Sequence, residues 1–441
     1  MGAAAAALRA VLPEPPSRKE LMDRRTLLRN AGLAAIGLAV GGCASNPARM
    51  ATAPGGRGRR RLVPVNVSWD RVIRTTVGLR PHRSTGFVVR ADRMGTKTVV
   101  HNYGHGGAGH SLAWGTGELA VELALEHPSR RAAVLGCGTV GLTSALLLQR
   151  RGFDVTIYAE SVPPETTSNM ALAGFTPTSG LVSASRSPEW DAQFARAVVI
   201  AYRRLQLLVG RHYGVSWIDN YMPTDRPPTG EDGEGGMLPA EVRGGDVLLQ
   251  PGEHPFPTRY ALVRPEIRIE PSVYLDALVS DFLLRRGRLV VRRFETAQNL
   301  MSLPEALIVN CTGLGARLLF GDEELMPLKG QLTVLVPQPE VDYATVGRPG
   351  PGQASVPGVF SLHTMPRADG IALGGTSERG VWTLEPNDTA RTAVVEGHMA
   401  LFGAMNAEGS LLTRGGIPRP APDVGHFVDA GFRSPIVAAG H

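Results

Sequence analysis

The stretch AAVLGCGTVGLTSALLLQRRGFDVTIYAE, Ala132 to Glu160, decides the fold. A short apolar run is followed by Gly136, Gly138 and Gly141 in GxGxxG spacing. An apolar segment then reaches Arg151, Gly152 stops it, and a second apolar run, Val155 to Tyr158, ends at Glu160. The order predicts strand, tight turn, helix and strand. Three spaced glycines alone are a weak sign, but an acid nineteen residues past the third glycine, after the second strand, makes the pattern a dinucleotide site. The glycines allow a pyrophosphate close to the backbone, and Thr139 and Val140 open a helix whose unpaired N–H groups and dipole favour an anion. Glu160 can accept hydrogen bonds from adenosine ribose hydroxyls. The alternative is an ordinary parallel α/β turn that holds no ligand.

Downstream, Thr166, Thr167 and Ser168 open a segment of small residues that reads either as a helix cap or as donors to phosphate or ribityl oxygens. Leu307 to Gly313, Gly330 to Val334 and Ile371 to Thr376 read as further strands, each compatible with plain sheet. Upstream lies HNYGHGGAGHSLAWG, His101 to Gly115. Its histidines, His101, His105 and His110, have ligand-like spacing. The intervening glycines make a mobile scaffold, however, and the segment has no Cys or carboxylate, so a metal centre is not expected.

The rest of the chain sets limits. At 441 residues it is long enough for two domains of ordinary globular composition. The formal charge of +6 belongs to the leader: residues 1 to 61 hold eleven Lys and Arg against three acids, leaving 35 basic and 37 acidic residues elsewhere. Nucleic acid is therefore not an expected partner. Arg24-Arg25 precedes the apolar run Ala31 to Val40 and Gly41-Gly42-Cys43. That run is shorter than the roughly 20 residues a membrane-spanning helix needs. It resembles a twin-arginine export signal with a lipoprotein cleavage box, lipidated at Cys43, which predicts a periplasmic or cell-surface protein in membrane contact through its N-terminal anchor. The other reading is a frayed helix with a chance cysteine. Residues 44–61 read as a flexible basic linker. Cys137 and Cys311 provide no disulfide framework.

Together these blocks resemble the D-amino acid oxidase family of FAD enzymes. The residues that carry the likeness are Gly136 to Gly141 with Glu160, Thr166 to Ser168, Val309 to Gly313, Gly330-Gln331, Leu373 to Gly375, Val77-Gly78-Leu79-Arg80-Pro81, and His101 to Gly109 with Trp114-Gly115. The resemblance implies an α/β fold, with a Rossmann-like FAD-binding domain and a second, mixed-sheet substrate domain. In the family the arginine and HNYGHGG blocks come last; here they come first. A circular permutation accounts for the order. A helix from Thr116 to His127 would return the chain to the sheet edge, and Pro128 to Arg131 would join it to the nucleotide strand.

By the resemblance, FAD is the cofactor, and Gly107, Ala108, Gly109, His110, Ser111 and Leu112 approach the flavin ring, with Ser111 where the family has a threonine. Arg80 would clamp a substrate carboxylate, since a guanidinium offers two parallel hydrogen bonds. Arg80 and the Gly107 backbone are the expected catalytic groups. Arg71, Arg74 and Arg83 read as surface charges. Two departures bear on the substrate: His363 stands where one of a pair of tyrosines is expected, as a second substrate-binding candidate, and Leu172 is larger than the family's small residues. The expected reaction is oxidation of an amino acid, D-configured by the resemblance, to its imino acid, with electrons passing to oxygen or to a membrane quinone. The competing class is a flavin-binding protein without turnover. The expected organisation is 1–43 export signal, 44–61 linker, 62–131 permuted segment, 132–180 FAD-binding region, 181–405 substrate domain with the remaining FAD strands, and 406–441 irregular tail.

Overall fold

The computed structural model describes residues 61–182, 186–227, 237–242, 245–348, 350 and 354–409. The export signal, the linker up to residue 60 and residues 410–441 lie outside them. The predicted strand-turn-helix-strand is present: β4 (Arg131–Leu135), α2 (Thr139–Arg150) and β5 (Asp154–Ala159). It sits at the centre of a six-stranded sheet ordered β2 (Val88–Met94), β3 (Lys97–Tyr103), β10 (Leu307–Asn310), β4, β5, β9 (Arg288–Val291). All pairs but β2–β3 are parallel. Parallel strands need both faces covered, and the near-continuous apolar runs of β4, β5 and β10 meet that demand. Asn310 pairs with both His101 and Leu135, so β3, β10 and β4 end level and their following turns lie at one edge.

Helix α1 (Gly109–Leu125) packs between α2 and α3 (Pro188–Leu207), and α4 (Pro271–Leu284) packs on α2. A Cβ on Gly115 would overlap the Ala197 carbonyl, so this glycine is what lets α1 and α3 approach. The helix starts earlier and stops earlier than the expected Thr116 to His127. Glycine and histidine are poor helix formers, but twelve of its residues are buried, and packing overrides propensity. Pro128 disfavours helical backbone at the residue before it, which fits the early stop.

The second layer is a nine-stranded mixed sheet ordered β1 (Val72–His82), β11 (Met326–Leu335), β14 (Gly370–Thr376), β13 (Val359–Arg367), β12 (Tyr343–Gly347), β6 (Val215–Thr224), β8 (Tyr260–Ile269), β7 (Val247–Leu249). β15 (Glu378–Arg379) pairs with β11. The short α5 (Gly315–Phe320) follows β10. Helix α6 (Asp388–Gly409) packs on β11, β13 and β14, so regular structure runs past residue 405, where the tail was expected to begin. The 62–131 segment divides between the layers: β1 joins the nine-stranded sheet, while β2, β3 and α1 belong to the nucleotide sheet. The architecture is the α/β arrangement expected, a Rossmann-like sheet beside a mixed one. No helix among the described residues is long and apolar enough to cross a membrane.

Candidate active site

At the carboxyl end of β4 the chain turns through Gly136, whose φ of 101° favours glycine. Its N–H donates to Tyr158 O at 2.8 Å, and a Cβ there would lie 2.6 Å from Cys311 O. A Cβ on Gly141 would overlap Gly136 O. Gly138 caps α2 without a side chain, leaving the helix N-terminus uncovered except by Ser168, whose Oγ accepts from Thr139 N at 3.0 Å. Thr139 Oγ1 is buried without a partner among the described residues. Val140 follows in the first turn of α2. Thr166 Oγ1 donates to Asn169 Oδ1 at 2.7 Å, and Thr167 is exposed beside it. Glu160, at the end of β5, is exposed and accepts from Arg293 Nη1 at 2.8 Å.

The second glycine turn, between β3 and α1, lies one strand away. Gly104 and Gly106 have φ of 86° and 54°. Gly106 N donates to Pro81 O at 2.8 Å, and its Cα faces Gly180 O so closely that a Cβ would overlap it. Gly107 N donates to Ser179 O at 2.9 Å. Its amide, the expected catalytic donor, is therefore engaged. Ala108 N donates to His105 O and Leu112 N to Ala108 O. That leaves Gly109, His110 and Ser111 with the open first-turn amides that every helix start presents. Ser111 Oγ accepts from Thr176 N at 2.8 Å and donates to Gly174 O at 3.3 Å, tying α1 to the segment after the Thr166–Ser168 block.

The three histidines of this stretch go to separate partners. Asn310 Nδ2 donates to His101 Nδ1 at 3.1 Å, His105 Nε2 lies 2.9 Å from Thr116 Oγ1, and His110 Nε2 lies 2.9 Å from Ser168 O. Burial holds His101 near 4 and His105 near 3, so both rings are neutral at pH 7. Burial also lifts the thiols of Cys137 and Cys311 to about 12, which leaves them protonated.

Arg80, on β1, is wedged between the two layers. Its Cδ would be 3.4 Å from a Cβ on Gly107, and its Cζ 3.4 Å from one on Gly330. Nε donates to Leu328 O and Nη2 to Thr376 O, each at 3.1 Å. These two bonds occupy one edge of the guanidinium and fix its plane. No further hydrogen bond of Arg80 is found among the described residues, which leaves the outer Nη1 and Nη2 edge for a second bidentate partner. The other arginines near it are held differently: Arg83 pairs with Asp322 and Glu324, and Arg74 with Asp369.

His363 is half-buried, and desolvation holds it near 3, with Nδ1 3.0 Å from Ser361 Oγ. Its ring lies over Gly374 and Gly375, where a Cβ on Gly375 would sit 2.7 Å from Cε1. That double glycine is the bed for the imidazole. His363 thus packs as a neutral ring, close enough to Arg80 to feel its charge. Leu172 packs against Ile218, Ala344 and Met365.

One residue at this junction was not foreseen. Glu266 on β8, 9% exposed, accepts from Asn220 Nδ2 at 2.6 Å and crowds Gly174, as does Met365. Burial raises its pKa. Strand alternation groups Glu266 with Arg264 and Arg268, which reads as a solvated face. The 173–175 segment docks on β8 and lies against Glu266.

The residues fit FAD. Glycines line the α2 N-terminus, Thr139 Oγ1 and His110 Nδ1 are buried without partners among the described residues, and the N-termini of α1 and α2 converge, with a Cβ on Gly109 3.6 Å from Thr139 Cγ2. Two helix starts would then face one ligand, one suited to pyrophosphate and the other to an anionic edge of the ring.

Comparison with known proteins agrees. Residues 131–441 match the family of FAD dependent oxidoreductases, and the chain belongs to that family. It is therefore an enzyme with FAD as its cofactor. It is 28% identical over 308 residues to the D-amino-acid oxidase of Rubrobacter xylanophilus, covering 67% of this chain and 84% of that protein. It is 28% identical over 266 residues to the D-aspartate oxidase of Homo sapiens, covering 58% and 71%. Among solved structures, L-proline dehydrogenase from P. horikoshii matches with TM-score 0.46 at 15% identity, covering 63% and 78%. Glycine oxidase from Bacillus cereus matches with TM-score 0.45 at 14% identity, covering 63% and 79%.

Proposed function

We propose that this FAD-dependent oxidoreductase oxidises the Cα–N bond of a D-amino acid to the imino acid, which water then hydrolyses. The observation that carries the reading is Arg80. Its guanidinium is held edge-on by Leu328 O and Thr376 O, beside Gly107, with its outer edge open. The bound flavin supplies a two-electron acceptor for the hydride leaving Cα. The chain's work is to hold the substrate carboxylate on Arg80, which fixes the face of Cα presented, and to exclude water from the junction of the layers. The open amides of Gly109, His110 and Ser111 offer preorganised donors for negative charge. Neutral His363 contributes shape and no proton chemistry near pH 7.

A panel of D- and L-amino acids tests this, with oxygen and a soluble quinone as alternative acceptors. Arg80→Ala leaves the carboxylate unpaired in a dry site, costing about 3 to 5 kcal/mol, a hundredfold to several thousandfold in kcat/KM. Flavin content should hold, and Arg80→Lys should recover only part of the loss. Unchanged kinetics in Arg80→Ala, or a preference for L substrates, would sink the assignment.

The same reading includes a circular permutation and export. The permutation is supported by β3 pairing with β10 in the nucleotide sheet, and by the short path from Leu125 to Arg131. Export and lipidation rest on Arg24, Arg25 and Cys43. Replacing both arginines with lysine should strand the precursor in the cytoplasm, and Cys43→Ala should free the protein from membranes in high salt. Wild-type protein in the cytosolic fraction removes this part.

A further inference from the structure

Ser168 is gripped by both helix starts of the site. Its Oγ accepts from Thr139 N of α2 at 3.0 Å, and its carbonyl oxygen lies 2.9 Å from His110 Nε2 of α1. A carbonyl oxygen can only accept, so Nε2 carries the proton, and in the neutral ring Nδ1 is a bare lone pair. Burial holds His110 below the ordinary histidine value, which keeps the ring neutral at pH 7. The Tyr274 ring of α4 packs tilted against the imidazole, centroids 5.9 Å apart, and the Tyr274 hydroxyl accepts from Trp114 Nε1 at 2.6 Å. The protein thus sets both the tautomer and the place of this ring.

Nδ1 has no partner among the described residues, although His110 is only 6% exposed. Thr139 Oγ1 is also without one, on a residue 3% exposed. The two orphans differ in chemistry. A threonine hydroxyl can donate, and in the first turn of α2 it suits a phosphate oxygen. A bare Nδ1 does not, because phosphate oxygens near neutral pH carry lone pairs and no proton, and two acceptors would face each other. It needs a donor from the ligand. Nδ1 is bonded to Cγ, so it stays beside its own backbone in the first turn of α1, while Nε2 reaches across to Ser168. It therefore belongs to the α1 side of the site, beyond the pyrophosphate end. The part of FAD that follows the pyrophosphate is the ribityl chain, which bears hydroxyls.

We propose that His110 Nδ1 accepts a hydrogen bond from a ribityl hydroxyl of FAD, and that this acceptor, with the Thr139 hydroxyl as a donor to the pyrophosphate, fixes which end of the cofactor meets which helix. The inference rests on FAD as the cofactor and is independent of the substrate assigned above. The competing occupant is a buried water held by the same two atoms.

The test titrates the full chain, stripped of flavin, with FAD and with ADP, which has the adenosine and pyrophosphate but no ribityl chain. His110→Gln keeps an amide N–H near the place of Nε2 for Ser168 O and removes the acceptor. It should weaken FAD on the order of tenfold and leave ADP within about twofold of the parent. His110→Asn sets a carbonyl oxygen near the place of Nδ1 and gives up the reach to Ser168, so it should hold FAD more tightly than His110→Gln does. A purely structural role through Ser168 gives the reverse order. Thr139→Val should weaken FAD and ADP alike. FAD analogues lacking each ribityl hydroxyl in turn supply a second measurement: one of them should bind the parent about tenfold more weakly than FAD does, and lose nothing further in His110→Gln. Should a His110 variant fail to fold, by melting of the flavin-free protein, the analogues on the parent decide alone. His110→Gln binding FAD like the parent, His110→Asn binding it more weakly than His110→Gln, equal losses toward FAD and ADP in a His110 variant, or analogues that all match FAD on the parent would overturn the proposal and leave Nδ1 to water.

Discussion

Two glycine turns stand one strand apart at the same edge of the parallel sheet, each opening a helix, yet they are built on opposite plans. The Gly136–Thr139 turn is closed in large part from within, Gly141 crowding Gly136 O and Gly136 reaching the adjacent strand β5 through Tyr158 O, with Cys311 O and Ser168 Oγ added from outside. The Gly104–Gly109 turn is closed from a distance, by Pro81 O, Ser179 O, Gly180 O and the Arg80 side chain. The first can be formed by a continuous βαβ unit. The second exists only when β1, the 176–181 loop and β3 have met. A nucleotide turn can be self-sufficient because pyrophosphate recognition is generic, whereas on the proposed reading the second turn is welded to Arg80, which would hold the substrate.

The largest expected effect separates the two plans. Gly106→Ala forces an L residue into a left-handed φ of 54° with its Cβ inside the Gly180 carbonyl, two backbones that cannot both yield. A loss on the order of 4 kcal/mol or more follows, a large share of a typical stability. Gly138→Ala meets only Ser168 Oγ, at 2.9 Å, the movable end of a small side chain. The fold should survive there, with melting of the flavin-free protein near the parent value, while retained FAD falls because the new methyl occupies the pyrophosphate approach. Thermal melts and flavin absorbance read both. If Gly106→Ala melts with wild type, or if Gly138→Ala loses as much stability, the contrast between the turns is wrong.

Acid should find the second turn first. His101 and His105 are held near 4 and 3 by burial, while an unfolded histidine titrates near 6.5. Between those values the unfolded chain binds more protons than the folded one, so stability is full above about pH 6.5 and falls as pH drops toward 4, by up to about 1.4 kcal/mol per pH unit for each ring. Half-buried His363, near 3, and buried His398, near 4, add the same sign. Urea unfolding at pH 7.5 and 5.0 measures the slope. His105→Gln should flatten it even if it lowers stability at both pH values. A slope indifferent to that change would show that His105 is protonated in the folded protein.

What the sequence revealed follows the same division. The β4–α2–β5 unit was legible because its signals, glycine spacing, apolar runs and a terminal acid, lie within one continuous segment. The HNYGHGG turn was legible only through its likeness to a family, and even then its helix was placed too late, because Gly109, His110 and Ser111 look like loop until α2 and α3 are there to pack on. Arg80 could be chosen, but not the carbonyls of Leu328 and Thr376 that orient it, which arrive from strands some 250 to 300 residues away. That Gly107 spends its amide on Ser179 O had no signal in the chain. Glu266 was hidden for the same reason, since the segment that lies against it comes from about ninety residues upstream.

Glu266 carries the smallest expected effect and one of opposite sign. Its carboxyl, buried against Gly174, keeps its proton above the ordinary value of 4.5. Above that pH the unfolded chain releases the proton and the folded one does not, so this site subtracts stability as pH rises, about 1.4 kcal/mol for each unit by which its pKa is raised. Glu266→Gln removes the ionisation and keeps the shape. Asn220 Nδ2 still has an oxygen to donate to, and the new amide can donate to Asn220 Oδ1, now buried without a partner among the described residues. The variant should match wild type near pH 5 and exceed it at pH 8, by a margin that grows across the interval. The histidine turn and the glutamate then pull the stability profile from opposite sides, one on the acid limb and the other on the alkaline limb. A margin equal at pH 5 and pH 8 would mean that the glutamate ionises as freely in the folded protein as in the unfolded chain.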